Sequence, residues 1–474
     1  MKISVKKTIL IILGLLFFLA ISFSYIYNKG IPHDKPNIIF ITIDALRPGN
    51  LHCYGYQRQT SPNIDKLADK STTFLNCFVV STNTPWSTVT FLTGRYLFLE
   101  APSLAFHLDN VLDERYDTLA EYLKGFGYYT AAFLDNNNYR SGRGFEQGFD
   151  YYKCYPYDEK NLVDKIRDRI MTEDIVDFIN NYKSNKPFFL WIHYLDPHAP
   201  YAPFQEDYDL FKDDDIWKKS KFEKLELCPQ EITSDYEGQG YIPRYVFHED
   251  EYFAPHYIAS YDAEIRGKAD AGVGKIVEQL KDEDVVIISA DHGESLGEHG
   301  IYFTHGENIY DELLHVPLVI RDQEYFDRGK KISQPVSLLD IVPTIIKRVN
   351  PVWYFFNKHR FDGKDLKTIT ETRNTRRYLY AYKYAAKMFS IRDIATNFKY
   401  IMQDNKEELY KLPDENNNLI TNDFSPETIS IRDKLNKTLR EWLQDYPVKA
   451  DINPKEVEVS KEERESFRSL GYLQ

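Results

Sequence analysis

The chain has 474 residues, a length that suits one large catalytic domain with a smaller appendage. Hydrophobic residues make up 43%, which excludes global disorder, and a net charge of −13 argues against a nucleic-acid partner held through its phosphates. Aromatic residues reach 15%, many of them Tyr, and predict groove lining as well as core.

Residues 8–27 carry no charged side chain and are numerous enough to cross a bilayer. Lys2, Lys6 and Lys7 precede the run, which places the N-terminus in the cytoplasm and the bulk of the chain outside. The expected location is therefore the cell membrane, single-pass, with an extracytoplasmic catalytic domain. A cleaved signal peptide is the alternative, with Ala20-Ile-Ser22 as a small-x-small cleavage site. The four cysteines, Cys53, Cys77, Cys154 and Cys228, lack CxxC spacing and form no zinc knuckle. Disulfides and buried thiols both remain open for them.

Strand and helix signals alternate after a polar linker. Residues 38–43 predict a strand, and Ser61-Pro-Asn-Ile-Asp-Lys-Leu-Ala68 opens a helix with Ser61 as its N-cap. Residues 118–124 predict a helix and 128–133 a strand; 175–179 lie on a helix, and 187–193 form another apolar strand. An amphipathic helix is expected over 261–280 and a strand over 285–289. Such alternation with continuous apolar strands means a mostly parallel sheet covered on both faces, an α/β fold. Residues 204–252 break the rhythm with polar, aromatic and charged side chains and predict an insertion. Beyond 361 the signals shorten. Strands at 387–392 and 398–402 and a helix at 432–443 predict a small C-terminal α+β subdomain with an antiparallel sheet. The expected organisation is an anchor over 1–30, a catalytic domain over 35–360 and this subdomain over 361–474.

Two strands deliver acids at their C-terminal tips. Asn37-Ile-Ile-Phe-Ile-Thr-Ile43 ends in Asp44, and Val285-Val-Ile-Ile-Ser-Ala290 ends in Asp291-His292-Gly293-Glu294. Ligands bind at that edge of an open α/β sheet. Two Asp and a His meeting there point to one divalent cation (Mn, Zn, Ca or Mg) held by so few protein ligands that positions stay open for catalysis. Each residue alone has a plainer reading, Asp44 as a helix cap and His292 as a surface side chain. The hydroxyl-rich turn Ser81-Thr-Asn-Thr-Pro-Trp-Ser-Thr88 reads either as caps and turn bonds or as a nucleophile at a helix N-terminus. His198, after a buried strand, and His305, close behind the acidic motif, sit where they can serve a leaving oxygen. His299 and His315 read as structural.

In this order the motifs resemble the sulfatase family of the alkaline-phosphatase-like superfamily. The resemblance runs from about Pro36 to Leu412 and includes Asn37-Ile-Ile-Phe-Ile-Thr-Ile-Asp-Ala-Leu-Arg-Pro48, Cys53-Tyr-Gly-Tyr56, Phe91-Leu-Thr-Gly-Arg95, Gln147-Gly-Phe-Asp150, Asp196-Pro-His198 and Ser289-Ala-Asp-His-Gly-Glu-Ser-Leu-Gly-Glu-His299. Further matches are His315-Val-Pro-Leu-Val-Ile320, Asp340-Ile-Val-Pro-Thr344 and Glu408-Leu-Tyr-Lys-Leu412, and Leu470-Gly-Tyr-Leu473 is similar to the family's tail. It implies a three-layer sandwich around a large mixed sheet. It also implies metal ligation by Asp44, Thr84, Asp291 and His292, Thr84 at the nucleophile position, and His198 and His305 at the transferred group and leaving oxygen. Arg95 and Ser87 follow as candidate substrate contacts.

The departures narrow what the resemblance implies. The family converts a Cys or Ser of a C/S-x-P-x-R type signature to formylglycine, whereas this chain reads Thr84-Pro-Trp-Ser-Thr88. Threonine cannot become formylglycine, so none is expected. Ala45 stands where many members carry a second Asp, and Leu134-Asp-Asn-Asn-Asn138 replaces the Lys-x-His element. Threonine is similar to superfamily members that attack phosphate esters. The expectation is hydrolysis or transfer of a phosphate or sulfate ester, on an anionic substrate that is glycan- or lipid-linked. Alternatives are sulfate hydrolysis by direct attack of metal-bound hydroxide, a second metal at Asp196, His198 and His305, and an inactive binding protein on the same fold.

Overall fold

The structure, a computed structural model, describes residues 35–97, 112–156, 166–214, 228–229, 241–243, 245–247, 251, 253–372, 378–383, 386–423, 425–445 and 460–469. The apolar run at 8–27, the tail at 470–473 and most of the expected insertion lie outside them. Among the described residues no helix is long and apolar enough to cross a membrane.

The apolar runs form strands because every second side chain, and here nearly every one, finds a covered face. β1 (Ile38–Ile43), β2 (Thr72–Phe78), β3 (Tyr129–Leu134), β4 (Tyr151–Cys154), β5 (Phe188–Tyr194), β6 (Val285–Ala290), β7 (His315–Arg321), β8 (Lys331–Ile332) and β9 (Val336–Ser337) build one sheet. Its order is β8-β2-β7-β6-β1-β5-β3-β4, with β9 also on β2. Only β7 runs against its neighbours, so the sheet is mixed and mostly parallel. All six β1 residues are buried, each apolar one worth about 1.5–3 kcal/mol of transfer free energy.

Helices cover both faces, completing the three layers. α1 (Pro62–Ala68), α4 (Arg167–Asn181), α5 (Ala254–Glu264) and α6 (Ala271–Val277) group on one side. α2 (Thr84–Thr93), α3 (Leu119–Gly125), α7 (Ile341–Val349) and α8 (Pro351–Asn357) group on the other. The helix expected over 261–280 begins earlier and contains a π-helical turn, Ile265–Asp270, between α5 and α6. Ser61 does not cap α1; its hydroxyl donates to Asp65 and accepts from the His52 N–H. Thr118 does cap α3, in a reciprocal box with Glu121.

The C-terminal sheet has four antiparallel strands, β10 (Tyr378–Lys383), β11 (Met388–Asp393), β12 (Phe398–Gln403) and β13 (Lys406–Lys411), rather than the two expected. α9 (Pro426–Asp445) packs on it through Leu435, Leu439 and Trp442. That core also takes in Val80, Trp86, Tyr96 and Leu339, so the small sheet is fastened to the segment carrying α2. A charged clasp adds to this. Buried Lys399 donates to Asp311 (2.8 Å), Glu415 (2.7 Å) and the Ile309 carbonyl (2.8 Å), and Arg392 also meets Asp311.

Removing one partner of a buried ion cluster strands the others. Lys399→Met should therefore lower the unfolding free energy by about 3–5 kcal/mol in urea titration, whereas the same change at exposed Lys411 should be nearly silent.

Candidate active site

The strand register creates the site. Thr42 of β1 pairs with His193 of β5 and Ser289 of β6, so the three strands end level. The next residues, Asp44 and Asp291, emerge side by side, both fully buried. Ala45 takes a left-handed turn (φ 57°) directly after Asp44, and its N–H reaches Asp291 Oδ1 at 3.3 Å. Ligand atoms of Asp44, Asp291 and His193 all lie within 4.8 Å of one another.

The hydrogen bonds around this cluster favour a cation. Asp44 Oδ1 and Asp291 Oδ2 are buried with no hydrogen-bond partner. His292 Nδ1 lies 2.8 Å from the Gly293 carbonyl, which can only accept, so Nδ1 holds the proton. In neutral His292 the lone pair of Nε2 then faces Asp44 Oδ1 at 3.4 Å and Asp291 Oδ2 at 3.5 Å. With Thr42 Oγ1 donating to the Ile192 carbonyl, His193 Nδ1 donates to Thr42 and presents its Nε2 to Asp44 Oδ2 at 3.4 Å. Two carboxylates with the His193 lone pair, and the His292 lone pair against both carboxylates, are a donor set that suits a divalent ion. The residues present therefore fit the metal that the motifs implied, with His193 added to the expected ligands.

Thr84 is the first residue of α2, after Asn83 as N-cap and before Pro85. Its Oγ1 lies 3.1 Å from His292 Nε2 and 3.5 Å from Asp44 Oδ2. Ser87 follows one turn later with its buried Oγ unpartnered. Thr88, where the family's arginine is expected, is engaged with the Tyr139 hydroxyl at 2.8 Å. α2 is buried along its whole length and ends at Gly94 (φ 69°), where a Cβ would press on Val342 at 3.1 Å and Phe361 at 3.3 Å.

His198 and His305 stand together on one flank, with ring centroids 4.7 Å apart, and His305 stacks on His292 at 4.2 Å. His198 Nδ1 donates to the Ala199 carbonyl at 2.5 Å, which leaves Nε2 as its substrate-side nitrogen. His305 Nδ1 meets Glu294 Oε1 at 3.3 Å, and Tyr201 donates to the other oxygen of Glu294 at 3.5 Å.

Electrostatics follow from dryness and crowding. Burial opposes ionisation of Asp44, but His198, His193 and His292 hold its carboxyl well below the usual range. Burial and the neighbouring Asp44 charge raise Asp291. Burial pushes Glu294 up to about 7, and burial with the adjacent His292 pushes His305 down to about 3.

Several expectations need correction. Arg95 lies past the foot of α2, about 15 Å from Thr84 along the helix axis, over the Tyr116 ring. It does not reach the site. Asp196 is bound to Lys268 (2.7 Å), itself held by Glu264 (2.8 Å), so it is not turned toward His198 and His305 as a second metal site would need. His193 was missed because it reads as one more residue of an apolar strand; the pairing with Thr42 is what brings it to the mouth. Asn136 was also missed. Its amide donates to Asp44 Oδ2 at 2.7 Å while its oxygen accepts twice from Asn138. His299 and His315 are structural: His299 joins Glu312 to the Glu415 carbonyl, and His315 bonds the Leu75 carbonyl.

Manganese or zinc at about 100 times its dissociation constant should raise the unfolding free energy by about 2.7 kcal/mol. Asp291→Asn should abolish that increment in thermal melts, and elemental analysis should find one ion per chain.

Comparison with known proteins gives the family. The family model described as Sulfatase matches residues 36–350. An N-acetylglucosamine-6-O-sulfatase of Bacteroides thetaiotaomicron is 24% identical, over 66% of this chain and 67% of its own length. Human iduronate 2-sulfatase is 26% identical, over 64% and 61% respectively. Among solved structures, the phosphonate monoester hydrolase of Agrobacterium radiobacter superposes with a TM-score of 0.67 at 19% identity, covering 87% of this chain and 96% of that one. A protein solved with its substrate D-glucosamine-2-N,6-O-disulfate gives 0.68 at 21%, covering 90% and 100%. With two thirds of its length matched by the family model, the chain belongs to the sulfatase family and is an ester hydrolase of the alkaline-phosphatase-like superfamily.

Proposed function

We propose that the protein cleaves or transfers a phosphate or sulfate ester with Thr84 as nucleophile, and that its apolar run at 8–27 anchors it in a membrane with the catalytic domain outside. The placement of Thr84 Oγ1 carries the first part: a buried hydroxyl at a helix N-terminus, within 3.5 Å of a carboxylate and an imidazole.

Asp44, Asp291, His193 and His292 would hold the divalent ion. When bound, it supplies Lewis-acid charge that lowers the threonine pKa and neutralises oxygens of the ester. Thr84 Oγ1 forms the new bond to phosphorus or sulfur as the bond to the alcohol oxygen breaks. His198 and His305 line the leaving side, and the proton released by Thr84 passes through one of these neutral imidazoles to the departing oxygen. Glu294 and Tyr201 orient His305, and Asn136 fixes the Asp44 carboxylate. A water, or an acceptor hydroxyl, then attacks the threonine ester and restores the free hydroxyl.

The threonine favours phosphorus, because a formylglycine hydrate cannot form and phosphoryl transfer needs only an aligned oxygen and charge stabilisation. The relatives act on sulfated sugars, by their names, which favours a sugar as the alcohol part and keeps a sulfate ester as second reading. Paired assays on aryl phosphate and aryl sulfate separate the two; turnover of sulfate alone would remove phosphate.

Thr84→Ala should lower kcat by at least about 1,000-fold, a loss on the scale of a removed nucleophile, with melting temperature kept. Retained turnover would exclude Thr84 and favour direct hydroxide attack. If no ester of either class turns over in the unaltered chain, the inactive binding reading stands.

A further inference from the structure

The floor of the sheet, opposite the catalytic mouth, carries an exposed aromatic cluster that the chemistry does not use. In α8, Phe355 is 67% exposed and Phe356 64%, more than any other large apolar side chain among the described residues. Trp353 and Tyr354 of the same helix are half-buried and root it on the body of the domain. Two exposed cations follow, Lys358 and Arg360, with exposed His359 between them; Lys358 lies 5.9 Å over the Phe355 ring, and Arg360 is shared with Asp117. Aromatic side chains beside lysine and arginine suit the boundary between acyl chains and anionic headgroups.

The path of the chain points to the same surface. The described residues begin at Lys35, whose Nζ donates to the Phe126 carbonyl at 2.7 Å. The Phe126 ring in turn packs on Trp353 at 5.6 Å. The seven residues between 27 and 35 span at most about 28 Å. The described residues therefore begin beside α8.

We propose that α8 docks on an anionic lipid bilayer, inserting Phe355 and Phe356 at the interface beside the point where the N-terminal run enters the membrane. This rests on the anchoring reading given above. Docking sets the orientation of the enzyme. Lys35, Phe126 and α8 lie at the N-terminal ends of the parallel strands, whereas Asp44, Asp291 and Thr84 lie at the C-terminal ends, about 20 Å away across a six-residue strand. The catalytic mouth then faces away from the lipid, and its ester substrate arrives from the surrounding medium rather than from a headgroup of the same leaflet.

The test uses the full chain in vesicles of phosphatidylcholine and phosphatidylglycerol with brominated acyl chains. Phe356→Trp should lose at least about two-fold more emission to the bromines than Phe253→Trp, at the N-cap of α5 on the other side of the sheet, as expected for a ring at the acyl boundary. Adding Lys358→Glu should reduce the quenching. A chain stripped from the vesicles by alkaline carbonate overturns the anchor and the docking with it. A chain that stays while Phe356→Trp remains unquenched overturns the docking alone. Cross-linked dimers protecting an unquenched Phe356→Trp would assign the patch to a second copy and overturn it as well.

Discussion

Two carboxylates held apart from water and close to each other govern this molecule. Asp44 and Asp291 are fully buried, with oxygens inside 4.8 Å. At an effective dielectric near 20 their repulsion would be about 3–4 kcal/mol. No local preference brings them together. The parallel pairing of β1 with β6 does so, through a register supported by a continuous apolar core. Stability drawn from that core is spent on holding like charges where only a cation, or a proton, relieves them. The surrounding imidazoles serve the same end: each turns one nitrogen to a protein acceptor and the other inward.

The neighbourhood is layered around that conflict. Asn136 is locked by Asn138 and steadies Asp44 with a neutral donor. Lys268 neutralises Asp196 and Glu264 beneath the loop bearing His198, so that loop is supported without a charge reaching the cleft. Glu294 and Tyr201 brace His305 from behind. Among these described residues the lysine is already paired, so the charge needed to receive an anionic ester would fall chiefly on a cation held by Asp44 and Asp291.

Much of this was readable in the amino-acid order. The strands around Asp44 and Asp291 are uninterrupted apolar runs, and such runs in alternation with helices have one economical arrangement. The acids at their tips were found for the same reason. His193 was hidden because it sits inside the apolar run of β5 and looks like a strand residue; only the register Thr42↔His193 shows that it ends at the mouth. Asn136 was hidden because its role depends on a side-chain bond across 92 positions. Arg95 misled because nearness along the chain to Thr84 is not nearness in space when a ten-residue helix lies between. β10 and β13 were passed over since each has one wet face and charged or tyrosine-rich alternation, a weak strand signal. The π-helical turn between α5 and α6 has no sequence signature that periodicity would detect.

α2 carries a consequence of its own. It is a buried rod with a threonine at its head and, at its foot, a glycine pressed against α7 where no side chain fits. Position at the head is thus dictated by packing along the rod, whichever side chain stands there. A serine or cysteine at that head would inherit the same place, but Pro85 and Thr88 would still depart from the C/S-x-P-x-R signature, so the place of the reactive atom can be inherited without the chemistry.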